Sequence, residues 1–322
     1  MSTYYIICDY REKFSLEKFT DHYSYKSINK IKETIINLGY NCIYFGGTND
    51  LIYAIDSNNY DKAGIYLNFN DGINSTSKRG QTPILLELMC VKYSGSSPLV
   101  HLVVSDKNFT NKFLSNKITG LRIPFGFIIK NGDFASDNKI KFPVILKPNN
   151  EGSSLGIDEH SICANNEEIL KQYKKIKKYG DILVQEYING FELTNYFIRS
   201  KSGVMLMNYL LLVSKNDDLK MDHSVFTPND KFSHKRTFYN PSIILNKKEI
   251  DNIKRITNLI ADELDIVSIG RIDYKYLNGE LWFLEANTVP AFSESSDVGE
   301  ICKIYNIAFK NIVKIFLQSI NQ

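Results

Sequence analysis

Residues 267–287, VSIGRIDYKYLNGELWFLEAN, confine the fold more than any other stretch. Two alternating runs flank Asn278-Gly279, and Asn-Gly accommodates the left-handed backbone of a two-residue hairpin turn. The segment predicts an antiparallel hairpin. Side chains two apart on a strand share a face, so Arg271 lies with Asp273 and Glu285 with Asn287, while Ile272 and Tyr274 point the other way. A strict two-residue turn pairs Leu277 with Glu280 and, counting back, sets Asp273 against Leu284 and Glu285 against Ile272. That register places the two carboxylates on opposite sides of the sheet. For them to act together the ladder must slip by one residue, through an odd-length loop or a β-bulge, and Gly279 suits a bulged turn. The expectation is that Asp273 and Glu285 are neighbours beside Arg271 and Asn287, with Tyr274 and Leu284 turned away into packing. Asp273, Glu285 and Asn287 are hard oxygen donors, and Mg²⁺ takes such ligands while keeping positions for water and phosphate. The plainer alternative is a polar strand face occupied by ion pairs.

A second stretch, FPVILKPNNEGSSLGI at 142–157, reads as a buried strand ending in Lys147, followed by a small-residue loop. Lysine rarely enters a core unless paired. Gly152, Ser153 and Ser154 can offer N–H groups to an anion, so strand end and loop together suggest a phosphate site. Singly, these signals are weak. Lys107 and Lys147 could each be snorkelling side chains, and the loop is not a Walker A sequence. VQEYINGFE at 184–192 is either a polar strand end or a purine hinge with Glu192 near a ribose.

Strands at Tyr4–Cys8, YNCIYFGG and AGIYLNF, with helices at Ser24–Leu38 and PILLELM, imply parallel βαβ units. HLVVS is read as a further strand. Helices follow at Asp106–Leu114, Asn165–Lys178, Lys247–Leu264 and Glu300–Gln318, and strands at FGFIIK, FPVILKP, DILVQEYI and 196–214. Asp217 to Tyr239 reads as irregular and polar. A chain of 322 residues exceeds one small core. Its formal charge of +3 lacks the basic excess of a nucleic-acid binder. Five scattered cysteines without a CxxC pair argue against zinc or a disulfide framework. No apolar run is long enough to span a membrane, and the N-terminus does not read as a signal peptide. A cytoplasmic protein is expected.

The order of the parts is more specific than any one of them. SDKNFTNKFL, FPVILKPNNEGSSLGI, ILVQEYINGFE, GRIDY and FLEANTVPAFSESS follow one another as in the ATP-grasp superfamily, and the chain resembles its D-alanine–D-alanine ligase-like group over almost its whole length. The resemblance implies an α/β and α+β fold of three domains. These are an N-terminal parallel-sheet (Rossmann-like) domain at 1–104 and two α+β domains, 105–195 and 196–322, that sandwich ATP. It implies a ligase forming an amide bond through an acyl phosphate, with ATP and Mg²⁺, or Mn²⁺ in its place. Lys107, Lys147, Gly152, Ser153, Ser154, Gln185, Glu186, Tyr187, Ile188 and Glu192 would bind ATP, and Asp273, Glu285 and Asn287 the metal. Arg271, Ser153 and the N–H near Ala291 would serve catalysis, and Asp71 and Ser296 would meet the substrate. The partners implied are small-molecule or peptide carboxylates and amines, with no nucleic acid or membrane; a homodimer is compatible.

The departures concern the substrate side. The stretch DHYSYKSI lacks the Glu-His-Glu-type motif that grips the first substrate's amine in D-alanine ligases, and NFNDGIN replaces their histidine-glycine. MDHSVFTPNDKFSHKRTFYNP lacks their Tyr-x-x-Lys-Tyr core, for which Lys231 or Lys235 could substitute. Gln185 stands where an acid usually meets the adenine amino group. Ala291 stands where glycine is usual, so a left-handed backbone there would be strained. The expected activity is carboxylate–amine ligation on amino acids or peptides other than D-alanine with D-alanine. The alternatives are an authentic D-alanine–D-alanine ligase and a non-catalytic nucleotide-binding regulator.

Overall fold

The structure, a computed structural model, describes residues 3–13, 22–73, 75–129, 140–215, 227 and 236–321. The first sheet is parallel throughout, in the order β2 (Cys42–Gly46), β1 (Tyr4–Ile7), β3 (Ile65–Asn68), β4 (Lys92–Tyr93). Strand β3 is buried along its whole length, as a strand covered on both faces must be. Helix α1 (Tyr25–Asn37) packs Ile28, Ile31 and Ile35 on one side of the sheet. Helices α2 (Thr48–Asp56) and α3 (Lys78–Leu88) close the other, around Leu51, Tyr66 and Leu86.

HLVVS is not a strand. Residues Pro98–Ser105 form helix α4, started by proline in its first turn and by Ser97, whose hydroxyl accepts from Val100 N at 3.5 Å. A short apolar run has no periodicity by which to tell strand from helix. The fourth strand is instead the two-residue β4. Helix α5 (Lys107–Leu114) is capped by Asp106, which accepts from Phe109 N at 2.8 Å.

Next in the chain are β5 (Leu121–Arg122) and β6 (Gly126–Ile129). The second sheet is antiparallel, in the order β6, β9 (Ile182–Glu186), β7 (Val144–Pro148), β8 (Ile162–Cys163), with helix α6 (Asn166–Ile176) against it. The third sheet has six strands in the order β12 (Arg236–Tyr239), β11 (Met205–Lys215), β10 (Phe191–Arg199), β13 (Ser268–Leu277), β14 (Glu280–Asn287), β5. One face of this sheet packs on α4, α5 and helix α7 (Lys247–Glu263). The other shares a core with α1 and the last helix, so the first and third sheets are joined by one apolar layer.

The final helical stretch is two elements, α8 (Asp297–Ile304) and α9 (Phe309–Asn321), rather than one. Asn306, at φ +51°, lies in the break. Among the described residues no helix is long and apolar enough to cross a membrane.

Candidate active site

Strands β13 and β14 turn at Asn278 (φ +50°) and Gly279 (φ +83°), with Leu277 paired to Glu280. The turn is therefore the strict two-residue form, and the slip lies further along. Tyr274 faces Phe283, but Asp273 faces Glu285, so Leu284 is the extra residue of a bulge. Arg271 pairs with Asn287 beyond it. The four polar residues share one face, as the metal reading requires. Two expectations fail in detail. The bulge is at Leu284 and not at Gly279, and Leu284 does not join Ile272, Tyr274 and Phe283 in the core but lines a cavity.

The Arg271 fork grips Asp273 through Nε (3.0 Å) and Nη2 (2.8 Å), while Nη1 donates to Asp297 at 3.2 Å. Arg236, at the start of β12, stands 3.6 Å from the same Asp297. Thr194 on β10 donates its hydroxyl to Asp273. Burial pushes the Asp273 carboxyl upward; Arg271 opposes this, and the Glu285 charge across the ladder adds to the rise. Burial also disfavours the Arg271 charge, but Asp273 and Asp297 outweigh it and hold the guanidinium ionised.

Lys107, the first residue of α5, lies 3.5 Å from Glu285 and donates to Glu151 O at 2.5 Å. Lys147 is 7% exposed. Among the described residues its ammonium has no hydrogen-bond or ion-pair partner within range. Burial pulls it down to about 8, against the attraction of Glu285. A cation held in a cleft without a partner is suited to an anion supplied from outside.

Two cavities meet at this face. The smaller, about 130 Å³, is lined by Lys147, Ser154, Gln185, Glu186, Tyr187, Ile188, Glu192 and Asp273. Gln185 donates to Pro124 O at 3.4 Å, so its carbonyl oxygen is the end without a protein partner among the described residues. Glu192 lies 3.4 Å from Lys275. The larger cavity, about 260 Å³, is lined by Lys107, Gly152, Ser153, Asp71, Asn287, Ala291 and Ser296. Arg271 and Glu285 line both. Every site residue named from the sequence that lies among the described residues therefore falls on one cavity or the other. Ser153 (φ +48°) and Ser154 (φ +59°) are both left-handed, a conformation that non-glycine residues adopt at some cost. Ala291 is not left-handed, so the strain expected there is absent.

Lys231 and Lys235 lie outside the described residues. Arg236, the residue after Lys235, does reach the smaller cavity and was not singled out from the sequence. Nor were Asp297, Thr194, Lys78 and Arg79. Only their tertiary partners mark them.

Among the described residues no group of three or more His, Cys, Asp or Glu could hold a metal. The site offers two carboxylates and an amide. That set is too small for a closed cage but fits Mg²⁺, which binds through one or two carboxylates and completes its shell with water and phosphate. The unpartnered Lys147 beside it fits the accompanying polyphosphate.

A family model described as the D-ala D-ala ligase C-terminus matches residues 125–318. A D-alanine–D-alanine ligase of Thermotoga petrophila is 27% identical over 298 residues, 92% of each chain. One from Pelagibacter ubique is 29% identical over 262 residues, 76% of this chain and 77% of its own. In structure, the chain resembles the D-alanine–D-alanine ligase of Bacillus anthracis complexed with ATP. The TM-score is 0.77 at 16% identity, over 100% of this chain and 98% of that one. The VanG D-Ala:D-Ser ligase of Enterococcus faecalis gives 0.76 at 16% identity over 99% of each.

Proposed function

Since the chain belongs to the D-ala D-ala ligase C-terminus family and is thus an ATP-dependent ligase forming carbon–nitrogen bonds, we propose that it joins a carboxylate to an amine other than in the D-alanine pair. The observation that carries this reading is the pair of cavities sharing Arg271 and Glu285. On this reading a nucleotide and a carboxylate lie on either side of one charged boundary.

The nucleotide takes the smaller cavity, its base near Gln185, Glu186, Tyr187, Ile188 and Leu284, its ribose near Glu192. Asp273, Glu285 and Asn287 would hold Mg²⁺, which would supply neutralisation of phosphate charge. Lys107 and Lys147 offset the remaining phosphate charge. Gly152, Ser153 and Ser154 close over it with backbone and hydroxyl donors. A carboxylate oxygen in the larger cavity attacks the γ-phosphorus of ATP, ADP leaves, and an acyl phosphate forms. The amine then attacks, and phosphate leaves. Arg271 and the Ala291 N–H hold the oxyanion of the tetrahedral intermediate. Asp71 and Ser296 belong to the substrate side. The protein works by positioning and electrostatics. Five free cysteines, three of them buried, suit a reducing compartment such as the cytoplasm.

The restriction against D-alanine is supported by the larger cavity, whose described carboxylates already have cation partners. The second reading, an authentic D-alanine–D-alanine ligase, is favoured by the names of the curated relatives. Phosphate release from ATP with D-alanine alone, against other amino acids and dipeptides with mass detection of products, separates the two. Efficient D-alanyl-D-alanine synthesis promotes the second reading.

A further inference from the structure

The larger cavity has an electrostatic imbalance that bears on its substrate. Of the four cations in its described lining, Arg271 is paired with Asp273 and Asp297, Lys107 with Glu285 and Arg79 with Asp71, so the imbalance rests on Arg11. Glu285 faces Lys107 and the metal position. Asp71 is buried and clamped, with Arg79 Nε at 2.8 Å and Lys78 Nζ at 3.3 Å. Burial alone would raise the Asp71 carboxyl, but Arg79 and Lys78 hold it below its ordinary value. An ammonium arriving here would be a third cation on one carboxylate.

The wall beyond Asp71 is made by the start of α1 with His22 and by the short turn Arg11–Lys13 that follows β1. It presents Arg11, His22, Ser24 and Ser27. Arg11 N donates to Tyr23 O at 3.0 Å, which fixes this turn against the helix start. The adjacent Glu12 does not neutralise Arg11. Its carboxylate accepts from Tyr25 N at 3.2 and 3.1 Å, capping the helix instead. Among the described residues the Arg11 guanidinium has no ion-pair or hydrogen-bond partner. His22 Nδ1 meets Asp9 O at 3.0 Å, which leaves this wall without a carboxylate among the described residues.

Resting on the ligase reading above, we propose that the acyl donor carries a second carboxylate, received by Arg11 at the α1 end of the larger cavity, while its first is activated beside Arg271. A dicarboxylic acid meets both ends. A zwitterionic amino acid sets its ammonium against Arg11, and unlike charges placed this way are discriminated by repulsion as well as attraction.

Hydroxylamine trapping tests this without knowledge of the natural amine. A donor carboxylate oxygen attacks the γ-phosphorus, ADP leaves, and an acyl phosphate forms. Hydroxylamine nitrogen then attacks the acyl carbon, phosphate leaves with the bonding pair, and a hydroxamate forms with release of a proton. The full chain with ATP and Mg²⁺ is offered glutarate or D-alanine. The expected kcat/KM for glutarate exceeds that for D-alanine by about tenfold or more, the scale of one charge-assisted contact. Arg11→Gln lowers the glutarate to D-alanine ratio by about tenfold, chiefly through KM for glutarate, and Arg11→Lys recovers part of it. Equal or better use of D-alanine overturns the proposal and leaves the ligase reading standing, as does an Arg11→Gln ratio equal to wild type. Hydroxamate from neither donor overturns the proposal and counts against the ligase reading too.

Discussion

Asp71→Asn is the substitution whose consequence is easiest to work out from the geometry. Asp71, Arg79 and Lys78 are all buried, with the carboxylate 2.8 Å from Arg79 and 3.3 Å from Lys78. Lys78 keeps Glu151 at 2.9 Å after the change, while Arg79 loses its carboxylate at 2.8 Å. Removing one partner of a buried ion pair typically costs about 3–5 kcal/mol, because the other charge stays buried. That loss should appear in urea unfolding followed by fluorescence. Asp71→Asn combined with Arg79→Met should lose less than the sum of the two single variants, since the double variant removes both members of the pair. The folded-state Asp71 value is lowered, so its stabilisation is full above the unfolded value of 3.8 and is lost as pH falls through the folded value. The gap between wild type and Asp71→Asn should stay constant from pH 8 to about pH 5 and close in stronger acid. A variant within about 0.5 kcal/mol of wild type, the range of an ordinary surface change, would refute the clamp.

Three further outcomes follow from other parts of the molecule. Burial pulls His101 down to about 3, so the unfolded chain takes a proton that the folded state refuses; stability should fall as pH drops below about 6.5, and His101→Asn should flatten that slope by about 1.4 kcal/mol per pH unit. Glu285→Gln keeps the shape of a metal ligand and removes its charge; turnover should nearly vanish while ATP affinity, measured by calorimetry, weakens less, and chelation of Mg²⁺ should likewise stop turnover. A Cβ on Gly270 would stand 2.2 Å from Phe197 Cζ, so Gly270→Ala should cost about 1–3 kcal/mol in thermal or urea unfolding by overpacking the sheet.

The hairpin face was legible because two rules coincide there: alternation puts Arg271 with Asp273, and Asn-Gly fixes the turn. Where the ladder slips was not legible. Leu284 is apolar and fits a core pattern, yet the bulge turns it toward the smaller cavity. Helix α4 was misread since Val100, Val103 and Val104 favour strands by type, while Ser97-Pro98 carried the helix-start signal. The break between α8 and α9 depends on a left-handed Asn306 that periodicity does not register. Asp297 and Arg236 acquire meaning only when the fold brings both beside Arg271. Local pattern therefore exposed the parts that obey a period, and left unseen the charges whose partners are distant in the chain.

Arg271 and Glu285 belong to both cavities, so no ligand can fill one side without altering the charges felt on the other. Thermodynamic linkage then requires reciprocity: whatever factor the nucleotide applies to donor affinity, the donor applies to nucleotide affinity. A coupling of about 1–3 kcal/mol corresponds to roughly 5–150-fold. Screens for the donor carried out on the nucleotide-free protein will accordingly rank candidates by affinities that the nucleotide has not modified, and a non-hydrolysable ATP analogue with Mg²⁺ should reorder that ranking.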